Sequence, residues 1–141
     1  MDVSQMPGHL IRRLQQRSNQ IFSQRTQAAG LDLTSVQFAA LDAIATHPGA
    51  DQATIAELIA FDRATIGGVV DRLLQKGWIQ RSISQHDRRA RVLKLTALGT
   101  RMLQKLQPLV EDLQVEILSP LNPAEQKTFA KLASKLIQQG D

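Results

Sequence analysis

The chain has 141 residues, of which 43% are hydrophobic, enough for one domain with its own core and too few for two independent ones. It contains no cysteine, which excludes disulfide bonds, thiolate metal sites and sensing by cysteine oxidation. The formal net charge is +4, and because the sequence has no long apolar run we expect neither a membrane span nor a signal peptide, but a soluble cytoplasmic protein.

The N-terminal segment predicts a short unsettled arm followed by a helix. Residues 1–8 show no regular pattern, and apolar residues then recur at helical spacing over 9–29, until Gly30 ends the helix. The apolar side of this helix carries Leu10, Leu14, Ile21 and Phe22. Basic residues at four-residue spacing form a stripe along the helix, consisting of His9, Arg13 and Arg17 with Arg12 beside them. Such a stripe is either a solvated face or an anchor for a ligand.

Two shorter helices are predicted next. Thr34 can cap a helix from Ser35 to about Thr46, and the break at 47–50 (His-Pro-Gly-Ala) ends it. Asp51 can cap a third helix that runs to about residue 60. We expect these helices to bury Val36, Phe38, Leu41, Ile44, Ala45, Ile55, Leu58 and Ile59.

The segment from Asp62 to Gly77 predicts a fourth helix with two different faces. Asp62 is a suitable N-cap, and Gly77 stands where a left-handed residue would end the helix. One face is apolar, with Ile66, Val69, Val70 and Leu73; the other carries Arg63, Ala64, Gly67, Gly68 and Asp71. Each glycine costs a helix about 1 kcal/mol relative to alanine. The glycines are therefore either weak points or places where another molecule approaches the helix backbone closely.

A β-hairpin with a basic tip is predicted directly after this helix. Residues 78–83 and 92–95 have the composition of strands, and three arginines lie in the turn between them. Residues 62–101 carry nine basic and three acidic side chains, a net charge of +6, whereas the rest of the chain carries −2. A helix, a glycine stop and a basic hairpin in this order predict a winged helix-turn-helix. Its helix would enter the major groove of DNA, and its hairpin would meet phosphates or the minor groove.

Two more helices follow the hairpin. Thr96 can cap a long helix to about Leu118, which Pro108 should bend rather than end, and Asn122 with Pro123 begins the last helix. The apolar positions of the two helices are Leu98, Met102, Leu103, Leu106, Leu109, Val110, Leu113, Ile117, Phe129, Leu132, Leu136 and Ile137. Together with the first helix, they have more apolar surface than the small DNA-binding lobe can cover. We expect a second copy of the chain to cover it.

From His9 to about Gln138 the sequence resembles the MarR family of bacterial transcriptional regulators. Asp87 and Arg89 match the D-x-R motif of the family's wing, and the L-x-L-T-x-x-G motif that follows is matched by Leu93, Leu95, Thr96 and Gly99. The resemblance implies a single MarR-type domain over 1–141, mainly α with a small β-hairpin. Within it, residues 34–96 would form the winged helix-turn-helix DNA-binding lobe, and residues 9–30 and 97–139 a helical dimerisation lobe built from the N- and C-terminal helices.

For function, the resemblance implies a repressor of transcription. It would bind as a homodimer to successive major grooves of a pseudo-palindromic operator. The candidate DNA-binding residues are Arg63, Ala64, Thr65, Gly67, Gly68, Arg72, Asp87, Arg88, Arg89 and Arg91. Arg63 can pair with a guanine edge. The resemblance places Arg89 in the minor groove, with Asp87 orienting it by a charge-assisted hydrogen bond. Thr65 and Arg72 are expected at phosphates, although Arg72 can instead brace a neighbouring helix. Arg88 and Arg91 are expected at phosphates or in solvent.

The resemblance also implies a small-molecule site where the dimerisation helices join the DNA-binding lobe. The residues at the equivalent positions are His9, Arg12, Arg13, Arg17, Gln37, Phe38 and Leu41. An aromatic carboxylate suits cations beside an apolar wall, and the first two helices are similar to the subgroup that controls aromatic-acid degradation. A CoA thioester of such an acid is a second possibility, because basic residues at the pocket mouth can hold phosphates. Effector binding would release the repressor from DNA. The alternative is a constitutive DNA binder or activator without an effector.

Other classes of protein have less support. The sequence has no nucleophile motif and no phosphate-binding loop, so we expect neither an enzyme nor a cofactor. Its three histidines are far apart and predict no metal site. A winged helix used only for contacts with proteins would not need the net charge of +6 between residues 62 and 101.

Overall fold

A computed structural model describes residues 2–139; Met1, Gly140 and Asp141, which the predicted domain includes, lie outside the described residues. After a 3-10 turn at Val3–Gln5, the described chain forms α1 (Pro7–Ala28), α2 (Ser35–Thr46), α3 (Gln52–Leu58), α4 (Ile66–Gln75), β1 (Ile79–Ile83), β2 (Arg91–Leu95), α5 (Ala97–Ile117) and α6 (Pro123–Gln139). This order confirms the predicted mainly α fold with one β-hairpin. No helix within residues 2–139 is long and apolar enough to cross a membrane.

Most helix ends follow the capping residues predicted from the sequence. The hydroxyl of Thr34 accepts a hydrogen bond from the Gln37 N–H, and the Gln37 side chain accepts one from the Thr34 N–H, which completes a capping box. The Asp51 carboxylate caps α3 by accepting the Thr54 N–H at 2.8 Å. Asn122 and Glu125 cap α6 in the same reciprocal way. These polar side chains satisfy N–H groups that have no partner within the helix.

The N-terminal arm is better ordered than predicted. The Asp2 carboxylate accepts the Ser4 N–H at 2.9 Å and begins the 3-10 turn, and α1 starts at Pro7 instead of His9. A proline is well suited to the first turn of a helix, because its φ is already helical and it has no N–H to satisfy. The unsettled arm predicted over 1–8 is therefore wrong for residues 2–8.

The start of the fourth helix also differs from the prediction. Helix α4 begins at Ile66, and Asp62 is not its N-cap. Instead, the Asp62 carboxylate accepts the Ala64 N–H at 2.9 Å, and its backbone carbonyl accepts the N–H groups of Thr65 and Ile66. A short aspartate side chain favours such a local turn over a regular helix start. We call residues 62–65 the recognition turn.

The core surrounds α2, which packs against α3, α4, α5 and β2, and α1 closes it by packing against α5. Its largest fully buried apolar side chains are Leu41, Ile55, Ile66, Val70, Leu73, Leu93, Leu106 and Leu113. The predicted burial of Leu58 is wrong, since 46% of this residue is exposed. Leu58 ends α3, and the chain leaves the core there through Ala60, whose φ is +55°.

The hairpin is joined to α5 by a short network around Thr96. Strand β1 pairs antiparallel with β2, with Ile79 opposite Leu95. The Thr96 hydroxyl donates to the Gly77 carbonyl and accepts the Gly99 N–H, while the Thr96 N–H donates to the Trp78 carbonyl. A Cβ atom at Gly99 would lie 1.9 Å from that carbonyl oxygen. Thr96 and Gly99 of the L-x-L-T-x-x-G motif are thus required by the packing of the hairpin on α5.

Helix α1 is fastened to the end of α5 by cations. The Arg17 guanidinium donates to the carbonyls of Glu116 and Ile117, and Arg25 forms ion pairs with Asp112 and Glu116. Cations are favourable at a helix C-terminus, where carbonyls lack partners. Helix α5 continues through Pro108 as predicted.

Candidate nucleic-acid interface

The recognition turn presents its residues to solvent. Arg63, Ala64 and Thr65 are all exposed there, and Gly68 is exposed in the first turn of α4. A Cβ atom at Gly67 or Gly68 would meet nothing within 4 Å, and neither glycine has a positive φ. The fold itself therefore does not require glycine at these positions. Their effect is to leave the outer face of α4 flat beside the recognition turn.

The wing is the segment between the two strands, residues 84–90, and it is organised by its own polar side chains. The Ser84 hydroxyl accepts the N–H groups of His86 and Asp87, and the Asp87 carboxylate accepts the Arg89 N–H at 3.0 Å. The Arg89 Nε lies 3.6 Å from the same carboxylate, and 95% of the Arg89 side chain is exposed. Asp87 thus fixes the backbone of Arg89 and pairs with its side chain, which projects into solvent.

The other candidate arginines, one on the wing and two on neighbouring elements, differ in their surroundings. Arg91 donates from Nη1 to the Arg88 carbonyl at 2.8 Å, so it braces the wing backbone. Arg88 is exposed, and so is Arg72 in the last turn of α4.

The recognition turn and the wing face each other across a cleft of about 630 Å³. The charged residues that line this cleft are Asp51, Arg63, Arg81, Asp87, Arg89 and Arg91. Four guanidinium groups and two carboxylates leave an excess of positive charge, which suits a polyanion. Three of the four arginines, Arg63, Arg89 and Arg91, are among the candidates from the sequence, and the structure brings them together.

Asp51 connects three parts of this site. Hydrogen bonds from Thr54 hold the pKa of the Asp51 carboxyl below its usual value, and the nearby positive charge of Arg63 lowers it further. Asp51 also forms an isolated β-bridge with Val92, and the Leu93 N–H donates to the Ala50 carbonyl. The start of α3 is thereby fastened to the hairpin.

Sequence reasoning missed Arg81 and its partner. Arg81 lies on β1, and its Nη1 is 3.9 Å from the Asp71 carboxylate on α4. The signal was present in the alternation of the strand, because Arg81 follows the buried Ile79 by two residues and so shares its side of the hairpin.

The candidate effector residues are not all brought together. His9, Arg12 and Arg13 line one groove of about 770 Å³ on α1, which we call the basic groove. Arg17 instead holds the end of α5, and Gln37 serves the capping box of α2. The remaining two belong to the interior: the Phe38 ring lies 6.5 Å from that of Phe22, and Leu41 is fully buried.

A cavity of about 450 Å³, which sequence reasoning did not find, lies between α1, the start of α2 and Phe61, the residue just before the recognition turn. Its lining combines Phe22, Leu33, Val36 and Phe61 with Gln15, Asn19, Ser23, Thr34 and Ser35. Gln15, Asn19 and Ser23 also line the basic groove, so the cavity and the groove adjoin. Lining residues from three separate segments of the chain give no local sequence signal.

Comparisons with known proteins place these features in a family. The model of the MarR family matches residues 33–90, which include the recognition turn and the wing. The transcriptional repressor NicR of Pseudomonas putida is 35% identical over 136 residues, which cover 96% of this chain and 85% of NicR.

Two solved structures are similar over almost their whole length. The transcriptional regulator PcaV from Streptomyces coelicolor, solved in complex with its natural ligand, has a TM-score of 0.88 and 32% identity, and the match covers 100% of this chain and 98% of PcaV. BpsR from Bordetella bronchiseptica, whose DNA binding is regulated by 6-hydroxynicotinic acid, has a TM-score of 0.88 and 30% identity, with 96% of each chain covered.

Proposed function

The chain belongs to the MarR family of transcriptional regulators, and on that premise we propose that it is a repressor whose homodimer binds a pseudo-palindromic operator until a small effector releases it. The observation that carries this proposal is the arginine-lined cleft between the recognition turn and the wing. We propose that the protein is cytoplasmic, because a repressor has to reach the chromosome. We propose no catalytic activity, in keeping with relatives that are regulators.

In this proposal the recognition turn reads DNA and the wing anchors it. Arg63, Ala64 and the flat face at Gly67 and Gly68 meet base edges in the major groove, where an arginine can bond to guanine. Thr65, Arg72, Arg88 and Arg91 supply contacts to phosphates. Arg89, oriented by Asp87, enters the minor groove. The exposure of Arg89 and its fixed backbone support this role, since a well-placed cation loses little freedom on binding.

The first experiment tests the wing. We expect Arg89→Ala to weaken operator binding by about 1–3 kcal/mol with the dimer intact, measured by fluorescence anisotropy at fixed salt. Arg101→Ala, which changes an exposed arginine of α5 outside the cleft, is the matched control. Unchanged affinity of the Arg89 variant would contradict the assignment of the wing to DNA.

A homodimer is supported by the apolar residues that the single chain leaves uncovered. No described side chain of α6 is buried, and Leu136 is 72% exposed. Leu10, Ile11 and Leu14 on α1 and Val115 on α5 are exposed as well. Large apolar side chains exposed in such number along helices mark contacts between proteins. We therefore propose that residues 9–30 and 97–139 form the dimerisation lobe, and residues 34–96 the DNA-binding lobe.

For the effector we propose an aromatic carboxylate whose ring enters the cavity beside Phe22, Val36 and Phe61. The cavity has aromatic and aliphatic walls with a few hydroxyl and amide groups, as expected for a small ring with polar substituents. The regulation of BpsR by 6-hydroxynicotinic acid, a hydroxylated heteroaromatic acid, supports the same chemical class.

The basic groove favours a CoA thioester as a second candidate. Arg12 and Asn19 are seven residues apart on α1, which is about 10 Å along a helix. This distance is longer than a single-ring acid, so an acid whose ring lies in the cavity does not reach His9, Arg12 and Arg13. The phosphates of a thioester would extend along the groove and reach these cations.

In this proposal, a bound effector releases DNA by acting on the recognition turn through Phe61. This residue lines the cavity and directly precedes the recognition turn. A ligand that moves Phe61 would shift Arg63 relative to the wing, and a difference in affinity of about 1–3 kcal/mol between the two states would change operator occupancy.

The effector is tested by adding aromatic acids and their CoA thioesters separately to a preformed protein–operator complex. Release by the free acids supports the carboxylate, and release only by thioesters supports the second candidate. If none of them releases DNA, the protein is a constitutive binder and the sensor proposal fails.

A further inference from the structure

The cleft between the recognition turn and the wing contains one cation that has no role in the proposal above. Arg81 lines the cleft together with Arg63, Arg89 and Arg91, but it comes from strand β1 and not from the turn or the wing. Its Nη1 lies 3.9 Å from a carboxylate oxygen of Asp71 on α4. Arg81 therefore stands between the two elements that the proposed function assigns to DNA.

The position of the cleft determines which part of DNA it faces. In the proposed function, the recognition turn meets the major groove and the wing meets the neighbouring minor groove. Adjacent major and minor grooves of a duplex are separated by one sugar–phosphate strand. When Arg63 and Arg89 occupy their two grooves, that strand has to cross the cleft between them. The groups lining the cleft then face phosphates.

From this geometry, which rests on the proposed function, we propose that Arg81 binds a phosphate of the DNA strand crossing the cleft and that Asp71 positions it. A guanidinium has five N–H donors in a planar fork. The Nη1–carboxylate distance of 3.9 Å is that of an ion pair and not of a hydrogen bond, so the guanidinium donors are available to a phosphate oxygen. The contact adds affinity without regard to sequence, because phosphates carry no base information.

The same arrangement explains an acidic residue on the DNA-facing side of α4. Gly67 and Asp71 are four residues apart on α4, so Asp71 lies on the side of the proposed base contacts. A carboxylate there repels phosphates. Its pairing with Arg81 lowers this repulsion and holds the long arginine side chain in place, so that less of its freedom is lost when DNA binds.

The decisive measurement is the salt dependence of binding. Anisotropy titrations over a range of salt concentrations use a labelled duplex selected by the wild-type protein from a random pool, and an unselected duplex of the same length. Each phosphate contact contributes about 0.9 to the slope of log K against log salt. We expect Arg81→Ala to reduce that slope by about this amount and to lower the affinity for both duplexes by the same factor. Arg81→Lys keeps the slope, and Arg101→Ala changes neither quantity.

A double-mutant cycle tests the positioning by Asp71. Removal of a negative charge alone would tighten binding. If Asp71 positions Arg81, Asp71→Asn instead weakens DNA binding in the wild-type background. In the background of Arg81→Ala, the same substitution tightens DNA binding, because only the repulsion is removed. Tightening in both backgrounds would overturn the role of Asp71. Melting curves of each variant show whether the fold is kept.

The outcomes separate this inference from the proposed function. If the wild-type protein binds neither duplex at low salt, the proposed function fails and the inference fails with it. If the wild-type protein binds, Arg89→Ala weakens binding and Arg81→Ala leaves the slope unchanged, then the proposed function stands and only the phosphate contact of Arg81 is wrong.

Discussion

The winged helix-turn-helix lobe and the terminal helices differ in how they bury apolar side chains. In the lobe, Leu73 of α4 and Leu93 of β2 are fully buried by contacts within the chain. In α6, Leu132 and Leu136 have no such cover and remain exposed. The core side chains of the lobe are therefore covered within the chain, whereas the apolar side chains of α6 and of the first half of α1 are not. Changes in the two regions should consequently fail in different ways, one by unfolding and the other by dissociation.

The largest expected effect is on the exposed apolar face of α6. We predict that Leu136→Asp converts the dimer to a monomer, because each copy loses a buried leucine, worth about 1.5–3 kcal/mol, and a two-fold interface counts the loss twice. Light scattering after gel filtration measures the change, and operator affinity should fall with it.

Lys131→Asp is the matched control, since it places the same carboxylate on the polar side of α6. The lobe of the Leu136 variant should keep its near-ultraviolet circular dichroism. A dimer that survives Leu136→Asp would contradict the assignment of α6 to the interface.

The next effect concerns Gly99, at the start of α5 where the hairpin packs against it. We predict that Gly99→Ala destabilises the fold by about 1–3 kcal/mol, because its new methyl group would overlap the Trp78 carbonyl and force the hairpin away from α5. Urea unfolding measures this loss. A variant as stable as the wild type would show that the Thr96 network is not needed to hold the hairpin.

Gly68 should behave in the opposite way. We predict that Gly68→Ala stabilises the folded protein by up to about 1 kcal/mol, since the added methyl meets no atom and alanine favours the helix. Operator binding should nevertheless weaken, because the methyl projects from the flat face of α4. Unfolding and anisotropy measurements on one variant thus separate stability from function. Unchanged or tighter binding would remove the argument that this face approaches DNA closely.

The smallest effect is the pH dependence contributed by Asp51. Its pKa is lowered in the folded state, so its stabilising contribution is present above its ordinary value of 3.8 and is lost as pH falls through the folded value. Asp51→Asn keeps a capping oxygen but removes the charge. We expect the stability difference between wild type and variant to shrink as the pH is lowered below about 4. A difference independent of pH would contradict this account, and Glu57→Gln on the same helix is the control.

How far the sequence predicts the structure depends on the range of the interactions involved. Thr34, Asp51, Thr96 and Asn122 were recognised as caps because capping uses neighbours three residues away. Asp62 has the same composition signal, but its side chain closes a tight turn instead, and two glycines weaken the helix start that it would have capped. Local patterns alone do not decide between these two structures.

The two candidate sites show the same limit. The DNA-binding candidates lie in one continuous stretch that folds back on itself, so Arg63, Arg89 and Arg91 meet at one cleft. The effector candidates come from two helices, and their side chains are already used elsewhere: Arg17 at the end of α5, Gln37 in a cap and Leu41 in the core. The adjoining cavity depends on Phe61, which only the tertiary fold brings next to α1.

Trp78 gives the molecule a natural optical reporter. It is the single tryptophan of the chain, it lies between α4 and β1 with its carbonyl against Gly99 of α5, and the Lys76 ammonium lies 5.0 Å from its ring. The emission of an indole depends on nearby charge, so a displacement of α4 that moves this ammonium would change the colour or intensity of its fluorescence. The rate at which α4 rearranges could then be followed by stopped-flow mixing, without any attached dye.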